Sequence, residues 1–330
     1  MTTRVRHTPH PDVGWSGLWH GVPSRLLRIF LLLWAVTPRL ALSAPFNASV
    51  VISDDSTPYV ELADYLATEL SRQGLGQSRT ISLAALAQWD RTGTDVVVAV
   101  GLKATQAVAA MELRVPVIST LIPRFSFEKV ARGYEDKQGS SSLSAVYLNQ
   151  PVARQLDLIR VALPREKRIG VILGPESEDL LESLRAQTRA RGMRLYATRI
   201  NSEAELFPAL EDVLSKVDVL LSLPDSLVLN AQTIQSVLFT SYRSRVPVIG
   251  FSPAYVRAGA LVAVHSTPVQ LARQVAEMLG QLASGATLPP SQYPKYFSVA
   301  ANYRVARSLE LRLEKEDELA TRLGAGEIAP

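Results

Sequence analysis

Short apolar, β-branched runs alternate with helix-spaced apolar faces along this chain, and the alternation restarts once near its middle. Residues 49–52, 80–82, 95–100 and 116–121 read as strands, with helices over 58–72, 83–89 and 103–112 between them. Alternating βα units of this kind specify a parallel sheet with helices on both faces. A strand over 144–148 leaves this first unit, after a polar, loop-like stretch at 135–142. Then helix 151–163, strand 168–173, a helical face through Leu180, Leu181, Leu184 and Thr188, and strand 195–200 begin the pattern again. Strand 219–223, helix 228–241, and strands 247–250 and 261–264 continue it, and helix 268–284 and strand 297–299 close it. Two successive βα sets of similar length mean two α/β lobes rather than one wide sheet. Ser202 and Glu205 have the spacing of a capping box. The charged stretch 316–330 is expected to fray as a flexible tail.

In open α/β sheets ligands bind beyond the carboxyl ends of the strands. The most informative such end follows 219–223, where the run V-L-L-S-L is stopped by Pro224 and followed by Asp225 and Ser226. Asp225 has two readings here: an N-cap of the next helix, or a carboxylate offered to a ligand. Glu176 and Ser177 stand in the corresponding exit loop after 168–173.

Several chemistries are excluded by what the chain lacks. There is no cysteine, so thiolate catalysis, disulfides and cysteine-ligated metals are out of reach. Of four histidines, His7, His10 and His20 precede residue 44, which leaves only His265 for the folded part. A histidine metal site cannot be built from one ring, and no G-x-S-x-G elbow accompanies any serine. Gly74 and Gly76 follow a helix, and the segment from Gly101 to Thr105 lacks phosphate-loop spacing. Glu176 and Asp225 as an acid/base pair is the weaker reading of those carboxylates. No enzyme, cofactor or metal is expected.

Arg25 and Arg28 precede the apolar run I-F-L-L-L-W-A-V at 29–36, and small residues follow at Ala41, Ser43 and Ala44. That run is far short of the roughly 20 residues needed to span a bilayer. A basic flank, short apolar core and small-residue exit describe a signal peptide over 1–43, the alternative being an uncleaved anchor. The five arginines and one aspartate of this leader carry +4, which is the net charge of the whole chain. The remainder is neutral overall and gives no basis for a nucleic-acid partner. The expected location is the periplasm.

Residues 164–177, P-R-E-K-R-I-G-V-I-L-G-P-E-S, together with 217–227, 246–252 and 257–261, resemble the ABC-transporter substrate-binding protein family typified by tryptophan and other aromatic amino-acid binders. Residues 95–110 and 302–306 resemble that family's third strand and helix and its closing segment. The resemblance implies a type I periplasmic-binding fold, in which two doubly wound parallel-sheet lobes are joined by a three-crossover hinge. The crossovers would fall near 144–149, 262–267 and 291–297. Residues 45–147 and 266–292 would form the first lobe, and residues 148–265 and 293–315 the second. Ligand contacts would come from Asp54, Asp55, Ser56, Gly101, Lys103 and Ile122 on one side. Facing them would be Pro175, Glu176, Ser177, Asp225, Ser226, Phe251 and Ser252, with Asp225 meeting a ligand amine. Two positions depart from the family. Leu102-Lys103 replaces a small hydroxyl residue after the third strand, and Ile122-Pro123 replaces an Asp-Pro after the fourth. The first lobe is therefore more apolar and less suited to an amino-acid carboxylate, for which Lys103 offers a compensating charge. The function implied is capture of a small molecule for an ABC importer, with a membrane permease as partner. The alternative is a sensor or docking subunit of the same fold that signals to a membrane receptor.

Overall fold

The computed structural model describes residues 46–138 and 142–328. The signal peptide expected over 1–43 lies outside the described residues. The first sheet is built from β1 (Phe46–Ile52), β2 (Gly76–Ser82), β3 (Val96–Val100), β4 (Val117–Ile122) and β5 (Leu143–Tyr147). Its strands lie in the order β2-β1-β3-β4-β5, all parallel. Every residue of β3, V-V-V-A-V, is buried, as a central strand covered on both faces must be. The helices that cover this sheet include α1 (Thr57–Arg72), α2 (Leu102–Ala109) and α3 (Arg124–Gln138).

The second sheet has β6 (Arg168–Leu173), β7 (Arg194–Arg199), β8 (Val219–Leu221), β9 (Val248–Gly250), β10 (Val262–His265) and β11 (Ser298–Ala301). Their order is β11-β10-β9-β8-β6-β7, parallel except for β11, which runs antiparallel along β10. Read from β7, this is the order of the first sheet repeated, with one antiparallel strand added at the edge. Helices α4 (Val152–Ala162), α5 (Leu181–Ala190), α6 (Leu206–Leu214), α7 (Ile234–Arg243) and α8 (Pro253–Ala258) accompany it. Its two faces carry separate apolar cores, one around Leu156, Ile159, Val171 and Leu173 and the other around Leu206, Leu210, Leu220 and Tyr255.

Helix α9 (Pro268–Ala283) leaves the end of β10 but does not stay with the second sheet. Thr267 and Gln270 form a full capping box at its start, with Pro268 in the first turn. Leu271, Ala272, Val275, Ala276 and Leu279 are buried against Leu62, Leu66 and Leu70 of α1 and against Val50 and Val98. The chain then returns through Gln292, which exchanges backbone hydrogen bonds with Ala145 and Tyr147, to reach β11. The polypeptide thus passes between the sheets three times: after β5, after β10 and after α9.

Four local expectations differ from the structure. Residues 135–138, read as part of a loop at 135–142, belong to the end of α3, which Phe127 and Tyr134 anchor with buried rings. The helix expected over 228–241 starts only at Ile234. Upstream, Asn230 turns back to accept hydrogen bonds from the Gln232 and Thr233 amides, which breaks the helical ladder. Ser202 donates to the Glu205 carboxylate instead of capping a helix, so no capping box forms there. The segment expected to fray is α11 (Glu316–Ile328), which follows the short α10 (Tyr303–Ser308). Leu319 and Leu323, one turn apart on its apolar side, are buried in the core around α4. Leu323→Ala should therefore lower stability by about 2–4 kcal/mol in urea unfolding, whereas a free tail would leave the midpoint unchanged.

Candidate functional site

The carboxyl ends of β1 and β4 face those of β6, β8 and β9 across a cleft. Two adjoining cavities occupy it. The larger, about 630 Å³, is lined by Tyr59, Leu121, Leu148, Phe251 and several prolines, and by Gln155, His265 and Ser266 toward the crossovers. The smaller, about 250 Å³, is lined by Arg124, Phe125, Asn149, Glu176, Asp225 and Ser226. Pro123, Asn149, Pro224 and Phe251 belong to both, so the two spaces are neighbouring compartments of one cleft. The larger compartment is mainly apolar and the smaller carries the charge.

On the second lobe the strand-end loops lock together through an exchange of carboxylates. Asp225 is buried and accepts hydrogen bonds from Ser177 Oγ (2.7 Å), the Glu176 amide (3.1 Å) and the Leu227 amide (3.1 Å). In return, Glu176 accepts from Ser226 Oγ (2.7 Å) and the Ser226 amide (3.2 Å). A Cβ on Gly174 would lie 2.3 Å from an Asp225 oxygen, so only glycine allows the carboxylate to seat there. No helix starts directly after Asp225, so it is not an N-cap; its carboxylate is committed instead to loop amides and a hydroxyl. It remains at the wall of the smaller cavity.

On the first lobe, Gly101 opens α2 with φ +87°, and a Cβ there would meet Ser53 Oγ and the Tyr59 ring within 2.6–2.9 Å. The buried Ser53 hydroxyl donates to the Val100 carbonyl and accepts from the Ala104 amide, which ties β1 to the start of α2. Arg124, the first residue of α3, receives its order from Asn149, whose side chain accepts from the Arg124 amide at 2.7 Å. The Arg124 guanidinium reaches Glu128 at 2.8 Å and also pairs with Asp179 of the opposite lobe. Burial opposes its charge, but the two carboxylates more than offset that and raise its pKa. Arg124–Asp179 is the one ion pair joining strand-end loops across the cleft among the described residues.

A family model for ABC transporter substrate-binding proteins matches residues 72–314. The chain belongs to that family. In the solved structures, an ABC domain in complex with L-Trp from Streptococcus pneumoniae matches with a TM-score of 0.57 at 18% identity, over 84% of this chain and 98% of that one. A ligand-free, open substrate-binding protein with adhesive properties from Clostridium difficile matches with a TM-score of 0.66 at 15% identity, over 82% and 97%. At these identities the likeness is one of fold, and that fold is the type I periplasmic-binding fold. A curated tyrosine-binding protein of Clostridioides difficile (strain R20291) is 24% identical over 170 residues, 51% of this chain. The match spans about half of that relative's length, 48%.

Within this substrate-binding fold, Ser56, Glu176, Asp225, Ser226, Phe251 and Ser252 line the cleft. Other candidates stand elsewhere. Ile122 is fully buried against Phe127 and Tyr147, and its neighbour Leu121, with φ +50°, lines the cavity instead. Asp54 and Lys103 are exposed beside one another, and Asp54 folds back onto the Ser56 amide. Asp55 lines a separate surface groove along α1, and the exposed Pro175 lines neither compartment. Gly101 and Ser177 act from behind the wall, by holding α2 and Asp225 in place. The sequence does not mark Arg124, Gln150 or Gln155 as lining residues, and marks Asn149 and Ser266 only as parts of crossovers. The Asn149-Gln150-Pro151 exit from β5 was the only local signal for them.

His265 lines the larger cavity where it meets the crossovers. Burial pushes its pKa below 6.5, while the Glu316 charge and the Ala263 carbonyl pull the other way and only partly compensate. In the window between the depressed folded value and the ordinary one, the unfolded chain binds more protons, so stability falls as pH falls. The melting temperature should drop between about pH 7.5 and about pH 5.5. The drop should be smaller in His265→Gln, and equal drops in both proteins would refute the assignment.

Proposed function

We propose that this chain is the periplasmic solute-binding protein of an ABC importer and that its ligand is an amino acid with an apolar or aromatic side chain. The observation that carries this reading is the division of the cleft into an apolar compartment beside a charged one. An apolar ring fits the larger space among Tyr59, Leu121, Leu148 and Phe251. The charged head then occupies the smaller space, its carboxylate toward Arg124 and its ammonium toward Glu176 and Asp225. Arg124 thus does what Lys103 was expected to do, and does it from inside the cleft. Charge-assisted contacts of this kind are stronger than neutral hydrogen bonds. With one buried ring they can supply the roughly −8 kcal/mol of micromolar binding. The names of the relatives, a tyrosine-binding protein and an L-Trp complex, support the same ligand class.

The geometry of the crossovers supports closure around the ligand. Because the two sheets are joined only by crossover segments and the contacts around them, they can rotate toward each other about that junction. The Arg124–Asp179 pair favours the closed arrangement, within the modest strength of a partly exposed ion pair. Delivery to a membrane permease and export through the leader complete the proposed role.

Two measurements test it. An aromatic amino acid at about 100 times its Kd should stabilise the protein by roughly 2.7 kcal/mol and raise the melting temperature on the order of 5 °C. A panel of amino acids giving no shift, with sugars shifting instead, would overturn the ligand class. Asp179→Asn should weaken the affinity about two- to fivefold at low salt and make it less sensitive to salt. An unchanged affinity would remove Arg124–Asp179 from the closing motion.

A further inference from the structure

The parallel strands of the second sheet start at one end of the lobe, opposite the cleft, and the loops leading into them form a pole there. Backbone hydrogen bonds stitch these loops side by side. The Arg194 amide donates to the Lys167 carbonyl and the Asp218 amide to the Arg168 carbonyl, both at 2.8 Å. Leu220 donates to Pro247 at 3.0 Å, Leu261 to Val248 at 2.7 Å and Asn302 to Leu261 at 2.8 Å. The last helical turn and following loop before each strand, at 159–168, 187–194, 211–219, 240–248 and 255–262, make up this pole together with 301–310. These segments hold thirteen Lys and Arg against five Asp and Glu. The matching segments of the first sheet, 69–76, 85–96 and 106–117, hold three against four. Residues 44–330 are neutral overall, so the positive charge is gathered at one pole.

Little of this charge is neutralised locally. Arg168, Lys216 and Arg245 pair with Asp218, Asp212 and Glu310, and Arg160 and Arg191 share Asp157 of α4. The other eight cations are exposed and make no ion pair among the described residues. Among them lies a groove of about 670 Å³, lined by Arg257 of α8 and by Tyr303, Arg304 and Arg307 of α10, with no acidic side chain in its lining. Guanidinium is the side chain best matched to phosphate oxygens. The Arg245–Glu310 pair, at 2.9 Å, joins the end of α10 to the last turn of α7. That turn exposes Tyr242 and, 61% exposed, Phe239, over whose ring the Arg243 guanidinium stands at 5.8 Å. The acidic start of α11, Glu316 to Glu318, lies near Tyr303 and bounds the basic surface on that side. The segments follow the strand order across six strands, a width of about 24 Å. One acidic peptide would meet only part of so broad a surface, whereas a layer of lipid phosphates meets all of it at once. The exposed rings fit the same partner, since aromatic side chains settle at the level of lipid headgroups.

We propose that this pole docks the protein on the surface of an anionic lipid bilayer, with lipid phosphates seated in the groove of Arg257, Arg304 and Arg307. Attraction of this kind is electrostatic, reversible and screened by salt. The cleft lies at the other ends of the same strands, so solute can enter and leave while the protein is held at the membrane. The proposal is independent of which solute the cleft takes.

Vesicles of phosphatidylcholine with phosphatidylglycerol, and of phosphatidylcholine alone, serve as the probes in co-sedimentation. The exported protein should bind the anionic vesicles at about 50 mM salt, come off by about 500 mM, and not bind the neutral ones. Replacing Arg257, Arg304 and Arg307 together by Gln should weaken binding about ten- to hundredfold, at about fivefold for each arginine. Because all three are exposed, the melting temperature should not change, and the single replacements supply a folded comparison if the triple is lost. A first-lobe control with the same loss of charge, Arg91→Gln with Arg114→Gln and Lys129→Gln, should stay within about twofold of the wild type. No binding to anionic vesicles at low salt would overturn the proposal. Equal losses in the two triple variants would overturn it too, since net charge alone would then be acting. Binding of poly-L-glutamate but not of vesicles would give the pole to an acidic protein instead. None of these outcomes involves the cleft, so the amino-acid reading stands or falls separately.

Discussion

Three separate stretches of chain meet beneath the cleft, and a small set of hydrogen bonds ties them into one junction. Gln150, just past β5, bonds Ser266, just past β10; Ser266 in turn donates to the carbonyl of Tyr296, which leads into β11. Arg154 completes the knot. It is 6% exposed, donates to Gln150 Oε1 and to the Pro294 carbonyl at 2.7 Å, and rests over the Phe297 ring at 4.4 Å. A buried guanidinium is tolerated only where dipoles and rings replace water, so the junction and the charge require each other. From the first-lobe side, Gln274 of α9 holds the same returning segment through Gln292, Tyr293 and Lys295. The strand ends face each other because this junction sets where each sheet begins.

The walls of the cleft rest on a second device, the exchange between Glu176 and Asp225. Each carboxylate is satisfied by the other's loop, so two flexible strand exits become one rigid surface. That surface remains negatively charged and faces Arg124 across the smaller compartment. A carboxylate committed to amides still contributes its field to whatever enters. Asp225 thus caps no helix, but ties two loops together at the wall of the cleft.

Much of the architecture could be read in the sequence because strand and helix periods are local properties. The runs 95–100 and 168–173 are apolar enough to declare themselves, and their order fixes the sheets. Legibility failed where burial depends on distant partners. Helix α3 looks polar until Phe127 and Tyr134 are seen against the sheet. The spacing of Leu319 and Leu323 was visible, but nothing local says that α4 is there to receive them. The candidate site split the same way. Strand-end positions such as Glu176, Asp225 and Phe251 follow from topology, whereas Arg124, Gln155 and His265 reach the cleft through helix starts and crossovers remote in the chain. Lys103 was misplaced for the opposite reason: it is close to a strand end in sequence, yet its side chain lies on the exposed side of α2.

The route of α9 has a consequence for biosynthesis. The first sheet is complete once β5 has left the ribosome, but one of its faces is covered by α1 without its partner helix until residues 268–283 emerge, after nearly all of the second lobe. The amino-terminal half therefore cannot finish folding as an autonomous unit during translation, in contrast to chains whose domains follow one another in series. Nascent polypeptide of this topology presents apolar helix and strand surfaces for most of its synthesis, and its two halves must consolidate together.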